Sequence, residues 1–162
     1  MSLDRFKIAQ ENPESGFATA LAELQVGRKT SHWIWYIFPQ LASLGRSETA
    51  RFYGIVDLAE ARAYLADATL RKRLFAVTEV VARKLAEGVT LSELMGGATD
   101  SQKLVSCLTL FRAAATRPAD GIAAEDLKAF EKTADRILEM ARRQGFVGCE
   151  ITEEAQRTGG TA

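Results

Sequence analysis

Two stretches gather most of the side chains able to do chemistry. The denser one is Arg28-Lys29-x-Ser31-His32-Trp33-x-Trp35, followed by Gln40. His32 is the chain's one histidine, and an imidazole titrates close to neutral pH, so it is the natural proton carrier of any acid–base step. Arg28 and Lys29 are adjacent cations suited to a phosphate or carboxylate, Arg28 through paired hydrogen bonds and Lys29 as a point charge. Ser31 and Gln40 add hydrogen-bonding groups. Trp33 and Trp35 add flat surfaces on which a nucleobase-like ring can stack. The second stretch is Asp100-x-x-Lys103, which presents an acid and a cation one helical turn apart. In a first helical turn the dipole favours the carboxylate, so Asp100 suits a ligand-binding or base role better than an acid role. Gly96-Gly97-x-Thr99 just upstream offers backbone amides to an anion, without the lysine and hydroxyl of a P-loop.

Every one of these residues also has a structural reading. An aromatic cluster is ordinary core material, a lone histidine an ordinary hydrogen-bonded side chain, and Arg28-Lys29 a solvated pair in a loop. Residues two apart point to opposite faces of a strand, or about 200° apart on a helix. One tryptophan can therefore enter the core while the other lines a cleft. Asp100 and Lys103 can equally form a surface ion pair. No nucleophilic triad assembles, because Ser31 is the chain neighbour of His32 and no third member is identified. One histidine and two dissimilar cysteines, Cys107 and Cys149, make neither a metal site nor a disulfide framework. No cofactor or metal is called for.

Composition narrows the class. The 162 residues are 47% apolar and 26% charged, as in a soluble globular domain. Lys plus Arg and Asp plus Glu number 21 each, so no global field draws the chain toward nucleic acid. The first residues contain no uninterrupted apolar run, which predicts neither a leader nor a membrane span and points to the cytoplasm.

The elements that must position these residues are helical. Leu3–Gln10 forms a short helix with Phe6 inward, and Ile8 or Ala9 beside it. Asn12-Pro13 caps and starts the next, with Phe17, Ala20, Leu21 and Leu24 on one face and Gly27 as its stop. Trp33–Phe38, ended by Pro39, is apolar all round, and a short helix is favoured because nothing offers a sheet partner. A short helix over Ser47–Gly54 buries Phe52 or Tyr53. Asp57-x-x-Glu60 opens a helix with Leu58, Ala61, Tyr64 and Leu65 inward. After Asp67-Ala68-Thr69 a longer helix turns in Leu70, Leu74, Val77, Val81 and Leu85. Thr90-x-x-Glu93 and Thr99-x-x-Gln102 open two more, the second burying Leu104, Cys107, Leu108, Phe111 and Ala115. The last, about Ala124 to Gln144, buries Leu127, Phe130, Ala134, Ile137 and Ala141. The reading is an all-α, multihelical single domain over residues 1–148, with a frayed tail over 149–162.

Four ordered signatures carry a family resemblance: Ala9-Gln10; Gly27-Arg28-Lys29-x-Ser31-His32-Trp33-x-Trp35-x-x-Phe38-Pro39-Gln40; Glu60-Ala61-x-x-Tyr64-Leu65; and Asp100-x-x-Lys103-Leu104-x-Ser106-x-x-Thr109-Leu110-Phe111. Together they resemble the bacterial domain-of-unknown-function family eighteen-ten, often labelled calpastatin-like. The resemblance covers about Leu3 to Ala115, implies an all-helical fold, and assigns no activity. Where the family usually carries His-Pro after the Tyr-Leu pair, this chain has Asp67-Ala68. The calpastatin label predicts long disordered repeats, whereas the periodic pattern predicts a compact chain.

Two functional classes follow. One is a cleft between the aromatic stretch and the Asp100–Phe111 helix for a planar, anionic, nucleotide-like small molecule. If that cleft is an active site, His32 or Asp100 handles the proton and Arg28 or Lys103 the anion, in a metal-free hydrolytic or glycosidic reaction. The other is a non-enzymatic protein-interaction or regulatory module, in which the motif residues serve folding and one surface patch. Convergence of His32, Arg28, Asp100 and Lys103 on one concave pocket separates the two.

Overall fold

Short amphipathic segments separated by capping residues become, in a computed structural model that describes residues 2–117 and 121–148, nine α-helices among the described residues. They are α1 (Asp4–Gln10), α2 (Phe17–Val26), α3 (Ile34–Ile37), α4 (Glu48–Phe52), α5 (Leu58–Ala66), α6 (Ala68–Ala86), α7 (Leu91–Met95), α8 (Ala98–Ala114) and α9 (Ala124–Arg143). A 3-10 turn covers Ala42–Leu44. The only strand-like pairing among the described residues is an isolated parallel bridge between Leu41 and Ile55. The fold is all-α. Cys149, the expected tail over 149–162 and residues 118–120 lie outside the described residues.

Helix α8 is central because it is apolar on nearly every side. Leu104, Val105, Cys107, Leu108, Leu110, Phe111 and Ala114 are all buried. A helix of that kind must be covered all round, and α8 packs against α3, α5, α7 and α9. Helix α6 buries Leu70, Leu74, Val77, Val81 and Leu85 as its spacing predicts, and packs on α2, α5 and α9. Helix α9 closes the other side with the single stripe Leu127, Phe130, Ala134, Ile137 and Ala141.

The caps work as local chemistry requires. The Asp57 carboxylate accepts the Glu60 amide at 2.9 Å and Asp67 accepts the Leu70 amide at 3.0 Å. Thr90 and Glu93 form a reciprocal capping box at the start of α7. Asp67 stands at the junction of α5 and α6. Besides capping α6 it meets the Lys7 ammonium at 2.5 Å. Burial raises its carboxyl, but the Lys7 hydrogen bond and the Leu70 amide outweigh this and hold it below the ordinary value.

Some local expectations are corrected, and two alternatives are resolved. Asn12 does not cap a helix; its Oδ1 accepts the amides of Glu14 and Ser15 at 2.8 and 3.1 Å and closes a turn. Helix α2 starts after Gly16, where an added Cβ would lie 2.4 Å from the carbonyl oxygens of Gln10 and Asn12. Thr99 does not open α8, which begins one residue earlier behind Gly97. Of the pair Phe52 and Tyr53, Tyr53 packs on the core and Phe52 remains half exposed. Ile8 points outward.

Two buried polar side chains tie the motifs together. Arg5 donates to the carbonyls of Phe52 (2.8 Å) and Gly54 (2.9 Å) and to Glu60 (3.1 Å). Gln10 donates to the Tyr36 carbonyl at 2.8 Å and the Tyr64 hydroxyl at 3.1 Å, while the Tyr64 ring packs on Phe6 and Phe111. These buried groups find partners, as burial demands. Gln10, Tyr64 and Phe111 therefore act as parts of the core.

Candidate functional site

The loop between α2 and α3 is pinned from two sides. Helix α2 ends in a left-handed Gly27 (φ 99°). Two residues on, the Lys29 amide donates to the Leu94 carbonyl of α7 at 2.8 Å. Gly96 lies close on the same backbone. A Cβ there would stand 2.9 Å from the Lys29 oxygen, and its φ of 76° already favours glycine. The loop thus leans on the α7–α8 junction, which brings residues 29–33 to the first turn of α8.

The Lys29 side chain is only 6% exposed. Its Nζ sits 2.8 Å from Asp100 Oδ2, donates to the Ser31 carbonyl at 2.5 Å, and lies 4.8 Å from the centre of the Trp33 ring. Lys103 reaches the other oxygen of Asp100 at 3.7 Å and places its Nζ 5.2 Å from the Trp35 ring centre. One carboxylate therefore serves two lysines, each also facing an indole. Asp100 is a shared counter-ion in this arrangement.

From α2, Glu23 holds the loop's other half. Its carboxylate accepts the amides of Thr30 (2.7 Å) and Ser31 (2.8 Å), the Ser31 hydroxyl (2.5 Å) and Trp33 Nε1 (3.0 Å). Burial alone would raise this carboxyl. The hydrogen bonds from Ser31, Thr30 and Trp33 outweigh burial and hold it at about 2. Ser31 is thus committed to Glu23, and Trp33, fully buried, to the core. Glu23 did not stand out by motif. The signal that could have found it is an acid in the last turn of α2, against the helix dipole.

The two tryptophans divide as their spacing allows. Trp33 is core, whereas Trp35 is half-buried and borders an open groove of about 560 Å³ with Tyr36, Phe52, Tyr53, Glu48 and Thr49. Arg28 and His32 are exposed, and among the described residues neither the guanidinium nor the imidazole makes a hydrogen bond or ion pair. The His32 carbonyl accepts the Tyr36 hydroxyl at 3.1 Å. Gln40 is half-buried, and its carbonyl accepts the Ile55 amide at 2.8 Å beside the Leu41–Ile55 bridge. Lys29, Ser31, Trp33, Asp100, Lys103 and Trp35 thus form one connected set. No bond joins Arg28, His32 or Gln40 side chains to it. Among the described residues, no three His, Cys, Asp or Glu side chains cluster as a metal would require, and no helix is long and apolar enough to cross a membrane.

Comparison with known proteins agrees with the architecture and adds no activity. A comparison with curated protein sequences found no match. The chain is similar to a crystal structure of the conserved hypothetical protein Rv1873 from Mycobacterium tuberculosis, at 36% identity and a TM-score of 0.64, over 87% of this chain and 94% of that one. A packed helical core also differs in kind from the disordered repeats that the calpastatin label implies. The sequence profile described as "Protein of unknown function (DUF1810)" matches residues 1–138, so this chain belongs to that family.

Proposed function

We propose that the domain binds a planar, anionic, nucleotide-like small molecule beside Trp35, in the groove that Tyr36, Phe52 and Tyr53 also line. The observation that carries this reading is the Lys103 ammonium held 5.2 Å from the centre of the half-buried Trp35 ring. With Lys103 over one face of the ring, the other face can take a ligand's aromatic plane while the ammonium meets its negative group. The groove's volume of about 560 Å³ falls in the range of small-molecule sites, about 300–1,000 Å³. Lys29 is enclosed and Asp100 neutralises it, so Lys103 and the unpaired Arg28 are the cations left for a ligand. If the site is catalytic, His32 is the exposed proton carrier, Asp100 can act as base only by loosening its lysines, and the reaction is a metal-free hydrolysis, including that of a glycosidic bond.

The test is a fluorescence titration with AMP, ADP and ADP-ribose, supported by thermal shift. Stacking on Trp35 quenches its emission, while buried Trp33 serves as the internal reference. Saturation below millimolar concentration, lost in Trp35→Leu and weakened in Lys103→Met, is the expected result. No saturation by any of the three would overturn the reading.

A second reading is a protein-interaction or regulatory module. It is favoured by the absence of any bond from the Arg28 and His32 side chains to the Lys29–Asp100–Lys103 set, and by the half-exposed Phe52 and exposed Val56 near the groove's rim in sequence. A partner whose binding is lost in both Arg28→Ala and Phe52→Ala, with nucleotides inert, would establish it.

A further inference from the structure

An acid stands in the groove beside Trp35. Of the six residues that line it, Glu48 is the single charged one. Glu48 opens α4 and Phe52 closes it one turn later, so the two share the helix face that borders the groove. Among the described residues no hydrogen bond or ion pair engages the Glu48 carboxylate. The cap of α4 is Ser47 instead, whose hydroxyl accepts the Ala50 amide at 3.1 Å. The Thr49 and Tyr53 hydroxyls also make no hydrogen bond among the described residues, whereas Tyr36 turns its hydroxyl to the Ser15 and His32 carbonyls, at 2.8 and 3.1 Å. Burial, with Tyr36 beside it, holds the Tyr53 phenol above its ordinary value, so it stays protonated and able to donate.

We infer, resting on the nucleotide reading of this groove, that Glu48 recognises the sugar: its carboxylate accepts the 2′- and 3′-hydroxyls of a ribonucleotide whose base lies on Trp35. The groove thereby selects ribonucleotides over deoxyribonucleotides. A bare anion is repelled by Glu48, so a ligand held here must bring donors to the acid as well as a negative group to Lys103. Lys103 pairs with Asp100 and not with Glu48, so the cation and the acid meet different parts of the ligand. An ionised carboxylate is acceptor-only and has two oxygens, and a vicinal diol brings it two donors. Bonds to a charged acceptor are about twice as strong as neutral ones. A site built to pair a hydroxyl rejects the analogue that lacks it. The Thr49 and Tyr53 hydroxyls are left to serve the remaining sugar oxygens.

The test is a fluorescence titration of the full chain with AMP, 2′-deoxyAMP and 2′,3′-dideoxyAMP, repeated on Glu48→Ala. In the parent, each hydroxyl removed is expected to weaken binding about tenfold. In Glu48→Ala the three nucleotides converge, within about twofold, on the affinity that the dideoxy analogue has for the parent. Glu48 is exposed and Ser47 still caps α4, so the variant keeps the fold. A merely structural role would weaken all three alike and preserve their ranking. Equal binding of the three by the parent overturns the inference and leaves the nucleotide reading standing, as does a ranking that survives in Glu48→Ala. Saturation by none of the three removes the nucleotide reading and this inference with it. Choline saturating the groove in their place would make Glu48 the partner of a cation among aromatic rings, with the same consequence.

Discussion

The Lys29 ammonium, almost sealed from water, lies 2.8 Å from the Asp100 carboxylate and so joins the loop after α2 to the first turn of α8. This contact makes the two chemically rich stretches of the sequence into one cluster. It also makes Asp100 structural before it is anything else.

Removing that carboxylate strands a buried cation. Breaking a buried pair by deleting one partner costs about 3–5 kcal/mol. Because Asp100 keeps 23% of its side-chain exposure, and Lys29 keeps the Ser31 carbonyl, Asp100→Ala should cost about 2–3 kcal/mol. Lys29→Met should cost less, since its stem still packs and Asp100 keeps Lys103. Urea denaturation of both single variants and of the double variant checks this. The double variant should be more stable than Asp100→Ala alone.

Glu23 makes stability depend on acid. Its folded-state value of about 2 lies below the ordinary 4.5, so the native state binds its proton less readily than the unfolded chain. The resulting stabilisation is fully present above about pH 5 and is lost as pH falls from there through about 2. Discounted for partial solvent access, it amounts to about 1–2 kcal/mol. Glu23→Gln cannot accept four donors, because its amide nitrogen is itself a donor. It should lose about 2 kcal/mol at neutral pH and show a shallower acid limb than the parent in denaturation curves taken from pH 7 to pH 3. It should also free the Trp33 indole N–H, visible as a shifted resonance.

Cys107 should resist chemical labelling in the native state. It sits at 0% exposure inside α8, and burial pushes its thiol well above the ordinary value, so the reactive thiolate is suppressed twice over. In a Cys149→Ser background, labelling by a maleimide is expected to follow the opening of the core and to accelerate through the urea transition. Fast native-state labelling would show that α8 opens locally.

Tyr64→Phe tests the buried polar link between α1, α3 and α5. The Gln10 amide would lose the Tyr64 oxygen but keep the Tyr36 carbonyl. A cost of about 1 kcal/mol follows. Gln10→Leu, which leaves the Tyr36 carbonyl and Tyr64 hydroxyl both unmet, should cost more. Thermal melts of the two variants rank them.

The helices were legible in the sequence because their information is local. The stripes of α6 and α9 follow from spacing, and the caps Asp57, Asp67 and Thr90 bond to amides three residues away. Spacing also required that Trp33 and Trp35 face apart, but not which would be buried, since that depends on what packs beside them. Only the tertiary structure decided that Trp33 goes under Lys29 and against Phe38, that Lys103 faces Trp35, and that Glu23 gathers Thr30, Ser31 and Trp33. Those contacts join residues from separate helices, and no periodicity along one helix encodes the distance to another. Patterning determined which residues are helical and which faces are apolar. Packing of α2, α7 and α8 around one loop determined which of its polar groups are spent on the fold and which, Arg28 and His32, are left exposed.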